Sequence, residues 1–167
     1  MKRLSVFLAL LLAVTALNAQ QDTTKVPMYQ RFPTVPPFKL LLADSVTYYS
    51  KDDLPKKKKV LVMQFSPDCD HCKHQTEQII ANIKDLEDVQ IVMSTTLPLE
   101  KLKEFYQRYE LSRFDNIVAG KDANYLLPTF YEGHSLPFLA FYNKKKELIS
   151  VFEGKMPVKK LLAELDK

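Results

Sequence analysis

Cysteine, glycine, histidine and tryptophan are all scarce in this sequence, and each shortage removes a class of function. Among 167 residues there are three glycines, three histidines, two cysteines and no tryptophan. The glycines stand alone at 120, 133 and 154, so no glycine-rich loop can cradle a phosphate or a dinucleotide. No Ser/His/Asp arrangement and no pair of catalytic carboxylates is recognisable. Two cysteines are too few for a disulfide-stapled domain, and they lie only three positions apart, at 69 and 72. A bridge closing so small a loop constrains little of the unfolded chain, which leaves redox work or metal binding for the pair.

Charge of one sign is also missing in bulk. The formal net charge is +4, and the one basic run is Lys56 to Lys59. That run leads into an apolar stretch and reads as a solvated turn protecting a strand edge. Nothing in the balance calls for nucleic acid. A long apolar run does occur, but only at the start. Met1-Lys2-Arg3 is followed by uncharged residues from Leu4 to Leu17, then by Asn18-Ala19. This is the layout of a secretory signal peptide (residues 1–19) with cleavage after Ala19. Fourteen residues make about 21 Å of helix, short of the roughly 30 Å needed to span a bilayer core. Export to the periplasm or beyond is therefore expected. Loss of Lys2 and Arg3 with the leader would leave 22 basic against 20 acidic residues.

Residues 20–36 are polar with three prolines and read as an extended, partly disordered lead-in; residues 37–167 form the single domain. Its pattern begins with a hairpin, Phe38–Leu42 and Val46–Tyr49. Val60–Phe65 is an apolar run fit for a strand buried on both faces. Cys72, Ile79, Ile80, Ile83 and Leu86 then mark one stripe of a helix. A strand over Val89–Met93 and a helix carrying Leu99, Leu102, Phe105, Tyr106 and Tyr109 follow. Asn116–Ala119 reads as a short strand and Ala123–Tyr131 as a short helix containing Pro128. Strands over Phe138–Tyr142 and Glu147–Phe152, with a terminal helix on Val158, Leu161, Leu162 and Leu165, close the chain. The alternation implies parallel pairing early and antiparallel pairing late, an α/β fold with a central mixed sheet flanked by helices. The scattered tyrosines and phenylalanines sit at core spacing and mark no cofactor box; no cofactor is expected.

The chemistry concentrates in Cys69-Asp70-His71-Cys72, at the turn from a buried strand into a helix. Cys69 falls at the helix start, where unpaired N–H groups and the positive end of the dipole favour a thiolate. Cys72 lies one turn on, along the inward stripe. One sulfur can attack and the other can resolve.

These residues resemble the thioredoxin superfamily, and most closely its exported TlpA/ResA-like branch. The resemblance covers about Pro37 to Lys167. It rests on the strand–Ser66-Pro67-Asp68-Cys69-x-x-Cys72–helix unit and on Ser135-Leu136-Pro137-Phe138-Leu139-Ala140-Phe141-Tyr142 with the strand ending in Gly154. It rests too on the leading hairpin and the 65 positions from Cys72 to Pro137. The resemblance implies a thioredoxin-like fold with an N-terminal hairpin extension. It also implies a Cys69–Cys72 disulfide in the oxidised form, Cys69 as nucleophile, Cys72 as resolver, and Pro137 as a cis residue facing them. An X-Pro bond is the one type where cis costs only about 0.5–1 kcal/mol. Two positions depart from the family: Met63 stands where thioredoxins often bury an acid, and Gln75 where some relatives carry glutamate. The proton acceptor is therefore unassigned.

The direction of exchange depends on the neighbours of Cys69. His71 matches the histidine of DsbA-like motifs and favours the thiolate, while Asp68 and Asp70 oppose it; an intermediate potential is expected. Reduction of exported proteins is the first reading, with exported protein thiols and disulfides as partners of a monomer. A further redox partner, which could be membrane-bound, would recharge it. Oxidation or isomerisation is the alternative. A metal reading would use Cys69, His71, Cys72, His74 and the distant His134 for zinc or Cu(I). Helical spacing separates His71 from His74, so no metal site is expected.

Overall fold

The structure, a computed structural model, describes residues 26–167. The expected leader, its expected cleavage point and the first part of the lead-in lie outside the described residues. The remainder forms a seven-stranded mixed sheet in the order β2-β1-β5-β4-β3-β6-β7. A short helix α1 (Met28–Arg31) precedes the hairpin β1 (Lys39–Leu42) and β2 (Tyr48–Ser50). Next come β3 (Lys59–Gln64), α2 (Asp70–Ala81), β4 (Val89–Thr95), α3 (Leu99–Arg108) and β5 (Ile117–Lys121). The chain ends with α4 (Leu126–Tyr131), β6 (Phe138–Tyr142), β7 (Leu148–Glu153) and α5 (Val158–Leu165). Pairing is parallel across β3, β4 and β5, and antiparallel for β6 on β3, β7 on β6 and β1 on β5. Early crossovers and late hairpins are thus both present, as the element order requires.

The apolar run of β3 is explained by burial on two faces. Leu61 and Met63 point to one side, where α2, α3 and α5 supply Cys72, Ile79, Leu102, Phe105 and Leu161. Val60 and Val62 point to the other, against Leu127, Phe130 and Tyr131 of α4. Alternation along a strand divides these residues between two cores.

Two sequence expectations need correction. The helical stripe from Cys72 to Leu86 is not one helix: α2 stops at Ala81, and a 3-10 turn over Ile83–Leu86 follows. The Asn82 side chain donates to the Gln78 carbonyl at 2.9 Å and so satisfies a group that the helix end leaves open. The tighter turn still delivers Leu86 to the core at zero exposure. The lead-in is also not merely extended within residues 26–36. It contains α1, buries Val35 completely, and pairs Thr34 with Glu147 in an isolated bridge. Pro33 accepts from the Leu148 N–H at 2.8 Å, so this segment is bonded to the start of β7.

Candidate active site

Register alone brings the two halves of the motif together. β3 and β4 run parallel, and the Ser66–Cys69 segment leaves the carboxyl end of β3. β6 runs the opposite way beside β3 and pairs Phe138 with Gln64. Pro137, one residue before Phe138, therefore stands at the same end of the sheet as the cysteines. The Leu136–Pro137 bond is cis. The Leu136 carbonyl lies 3.9 Å from the Cys69 Sγ. Leu136 is among the exposed large apolar side chains, whereas Pro137 is buried.

Cys69 occupies the N-cap position of α2 with extended backbone angles, and its carbonyl takes the Lys73 N–H at 3.0 Å. Its sulfur therefore sits where helix N–H groups are unpaired and the dipole is positive. It is half-buried, while Cys72 has no exposure at all. Both are free thiols in this structure. Burial pushes the Cys72 thiol up to about 12, with a backbone bond with Ser66 opposing it and a hydrogen bond from the Cys72 thiol to Cys69 adding to it. One sulfur is thus reachable at the helix terminus and the other is held protonated beneath it.

The acidic neighbours are not bare charges. Lys73 lies 2.9 Å from Asp70, and its hydrogen bond is the main reason the Asp70 carboxyl falls below the ordinary range. Lys101 reaches from α3 to Asp68 at 3.2 Å. The Asp70 side chain is 92% exposed and Asp68 61%, so solvent weakens both pairs further. The opposition to a Cys69 thiolate expected from these two carboxylates is accordingly offset by a lysine each. A small cleft of about 130 Å³ lies beside the motif, lined by Pro67, Asp68, Lys73, Lys101, Arg108 and Tyr109 among others. His71 is exposed on the first turn of α2.

Other candidate residues are placed elsewhere. His74 faces Glu77 at 4.0 Å, and the Tyr109 hydroxyl donates to Glu77 at 3.3 Å. His134 is exposed, with its backbone N–H donating to Glu153. No cluster of three metal-ligating side chains occurs among the described residues. Met63 is buried in the core. Gln75 is buried one turn below Cys72, where its Oε1 accepts the Met156 N–H at 2.6 Å. That contact spans 81 positions and had no local signal; neither had the Lys101 pairing, across 33.

No protein-family model and no curated protein sequence matches the chain. Solved structures do match. A secreted disulfide oxidoreductase of Mycobacterium tuberculosis, homologous to the DsbE protein of E. coli, superposes with a TM-score of 0.65 at 16% identity, covering 78% of this chain and 95% of that one. An exposed lipoprotein thioredoxin of Streptococcus pneumoniae gives 0.59 at 25% identity, covering 78% and 98%. The peroxidoxin BcpB of Mycobacterium tuberculosis gives 0.66 at 17% identity, covering 80% and 94%. The chain has the thioredoxin fold.

Proposed function

We propose that this thioredoxin-fold chain is an exported thiol–disulfide oxidoreductase that acts on protein disulfides through Cys69 and Cys72. The observation that carries the reading is the unequal pair: a half-buried sulfur at a helix N-terminus, 3.9 Å from a loop carbonyl, above a sulfur with no exposure. The Cys69 thiolate attacks one sulfur of a substrate disulfide and expels the other as a thiolate, forming a mixed disulfide. The Cys72 thiol then loses its proton and attacks Cys69, releasing the second substrate thiol. Substrate gains two electrons and two protons, and Cys69–Cys72 becomes the disulfide. A dithiol donor must reduce it again.

Burial of Cys72 makes the order of events definite. A thiol held up near 12 is a poor first attacker and becomes useful only once the mixed disulfide lies beside it. The secreted disulfide oxidoreductase and the exposed lipoprotein thioredoxin among the similar structures support both the reaction class and export. Reduction is the first reading of direction. Oxidation or isomerisation is favoured by one specific feature, the lysine pairing of Asp68 and Asp70, which leaves the helix dipole and His71 less opposed.

Insulin reduction and a redox titration test the reading together. Wild-type protein should reduce insulin, and Cys69→Ser should abolish the activity. Cys72→Ser should accumulate a mixed disulfide through Cys69. A potential near −270 mV would assign a reductant and one near −120 mV an oxidant. Full exchange by Cys69→Ser would remove Cys69 from the nucleophile role.

A further inference from the structure

The geometry points to Gln75 as the residue that positions the Pro137 loop against the two cysteines, an inference that rests on the exchange reaction proposed above. Gln75 is buried in α2, on the same stripe as Cys72 and Ile79. Its Oε1 accepts the Met156 N–H at 2.6 Å, in the segment that links β7 to α5. Two residues earlier in that segment, the Gly154 N–H donates to the Pro137 carbonyl at 2.8 Å. The neighbouring carbonyl, that of Leu136, is the one 3.9 Å from the Cys69 Sγ. A closed path results. The dithiol helix holds Met156, the 154–156 segment holds Pro137, and the Pro137 loop returns to Cys69.

The other half of the same amide strengthens the assignment. Gln75 Nε2 is buried with no hydrogen-bond partner, alone in that condition among the described residues. Flipping the amide would not cure this, because it would set Nε2 against the Met156 N–H, donor to donor. A leucine or methionine would fill the space without burying an orphan donor. What the amide adds at this position is the bond to Met156. No other side chain is seen to accept that N–H, and its loss would remove the hydrogen bond between α2 and the 154–156 segment while leaving the Met156 side chain packed in the core and the strands of the sheet paired. Gln75 makes no hydrogen bond to either sulfur, so its part is positioning, and its effect should reach the reaction through the loop.

Three proteins of full mature length, wild-type, Gln75→Met and Gln75→Glu, decide the matter with two measurements. The first is amide hydrogen exchange. In Gln75→Met the Met156 and Gly154 N–H groups should exchange at least tenfold faster, while Leu139 to Phe141 in β6 keep their protection. Gln75→Glu, which retains an oxygen for Met156, should exchange as wild type does at both amides. The second measurement compares two reactions of Cys69. Alkylation by iodoacetamide needs only the sulfur, whereas exchange with a peptide disulfide also needs the loop beside it. Gln75→Met should lose about tenfold in the second and less than twofold in the first, with Gln75→Glu restoring the rate. Unchanged exchange at Gly154 and Met156 would overturn the coupling. An equal fall in both Cys69 reactions, or a fall in neither, would overturn the positioning role. A wild-type protein that shows the predicted amide pattern but reacts with no peptide disulfide would sink the function proposed above, and the positioning role with it, while leaving the bond itself established.

Discussion

Without exposure to water, the Cys72 thiol holds its proton at a pH where an unfolded cysteine has already lost it. Its ordinary value of 9.0 rises to about 12 in the fold, chiefly because burial disfavours the charged form. Between those values the unfolded chain binds fewer protons than the native one, so stability falls as pH rises. The contribution is intact below pH 9 and is lost progressively towards 12. The slope approaches about 1.4 kcal/mol per pH unit for one group fully ionised only in the unfolded state. Burial raises Tyr131 and Tyr142 as well, and they act in the same direction. Reduced wild-type protein and a Cys72→Ala variant should therefore be unfolded in urea at several pH values from 8 to 10.5. The variant starts lower because of its cavity, but its stability should decline less steeply above pH 9. Parallel declines would show that Cys72 ionises in the native state as it does in the unfolded one.

At the scale of elements, the hairpin that extends the sheet depends on a missing side chain. A Cβ on Gly120 in β5 would stand 2.6 Å from the Leu40 Cβ and 3.2 Å from the Leu41 carbonyl oxygen of β1. Those are parts of the partner strand rather than flexible side-chain ends, so Gly120→Ala must push β1 away from β5. Strain of this kind costs about 1–3 kcal/mol. A Gly120→Ala protein should melt lower while its insulin reduction, carried beyond the carboxyl end of β3, two strands from β5, stays within about twofold of wild type. An unchanged melting temperature would mean that β1 yields freely. The hairpin itself was legible, since both its runs are β-prone and a turn separates them. Its docking on β5 was not, because strand order in a sheet leaves no periodic trace. The same division runs through the site. Cys69 and Cys72 stood out as a local motif, Pro137 only through the family resemblance of its segment, and Asp70 meets Lys73 three residues on, within reach of a helical reading. Lys101 and Met156 could not be found that way, because each arrives from an element far along the chain.

For the molecule as a whole, the open question is where the folded unit begins. A composition shift at residue 37 marks the start of regular hydrophobic patterning, yet the bonds continue upstream of it. Val35 is fully buried and its N–H donates to the Lys146 carbonyl at 3.1 Å. Lys146 in turn sends its Nζ to the carbonyls of Pro55 and Lys58 at 2.7 and 2.6 Å, and burial lowers its own pKa. The segment before β1, the linker before β3 and the β6–β7 turn thus meet at one lysine. Tyr29 adds a tilted ring contact with Tyr131, centroids 6.3 Å apart, over the second core. Prolines hid this from a composition reading: they deny the segment regular structure but not burial. A protein starting at Pro37 should consequently lose about 3 kcal/mol or more against one starting at Gln20, from one buried valine, the Tyr29 contact and two lost backbone bonds. Urea denaturation of the two, both reduced, measures that difference directly. Insulin reduction at low temperature should survive the truncation, because the cysteines lie at the start of α2 and Pro137 on the loop before β6, whereas the backbone bonds of the segment go to Lys146 and the start of β7. Equal midpoints would place the beginning of the folded unit at residue 37 and reduce the upstream contacts to a surface attachment.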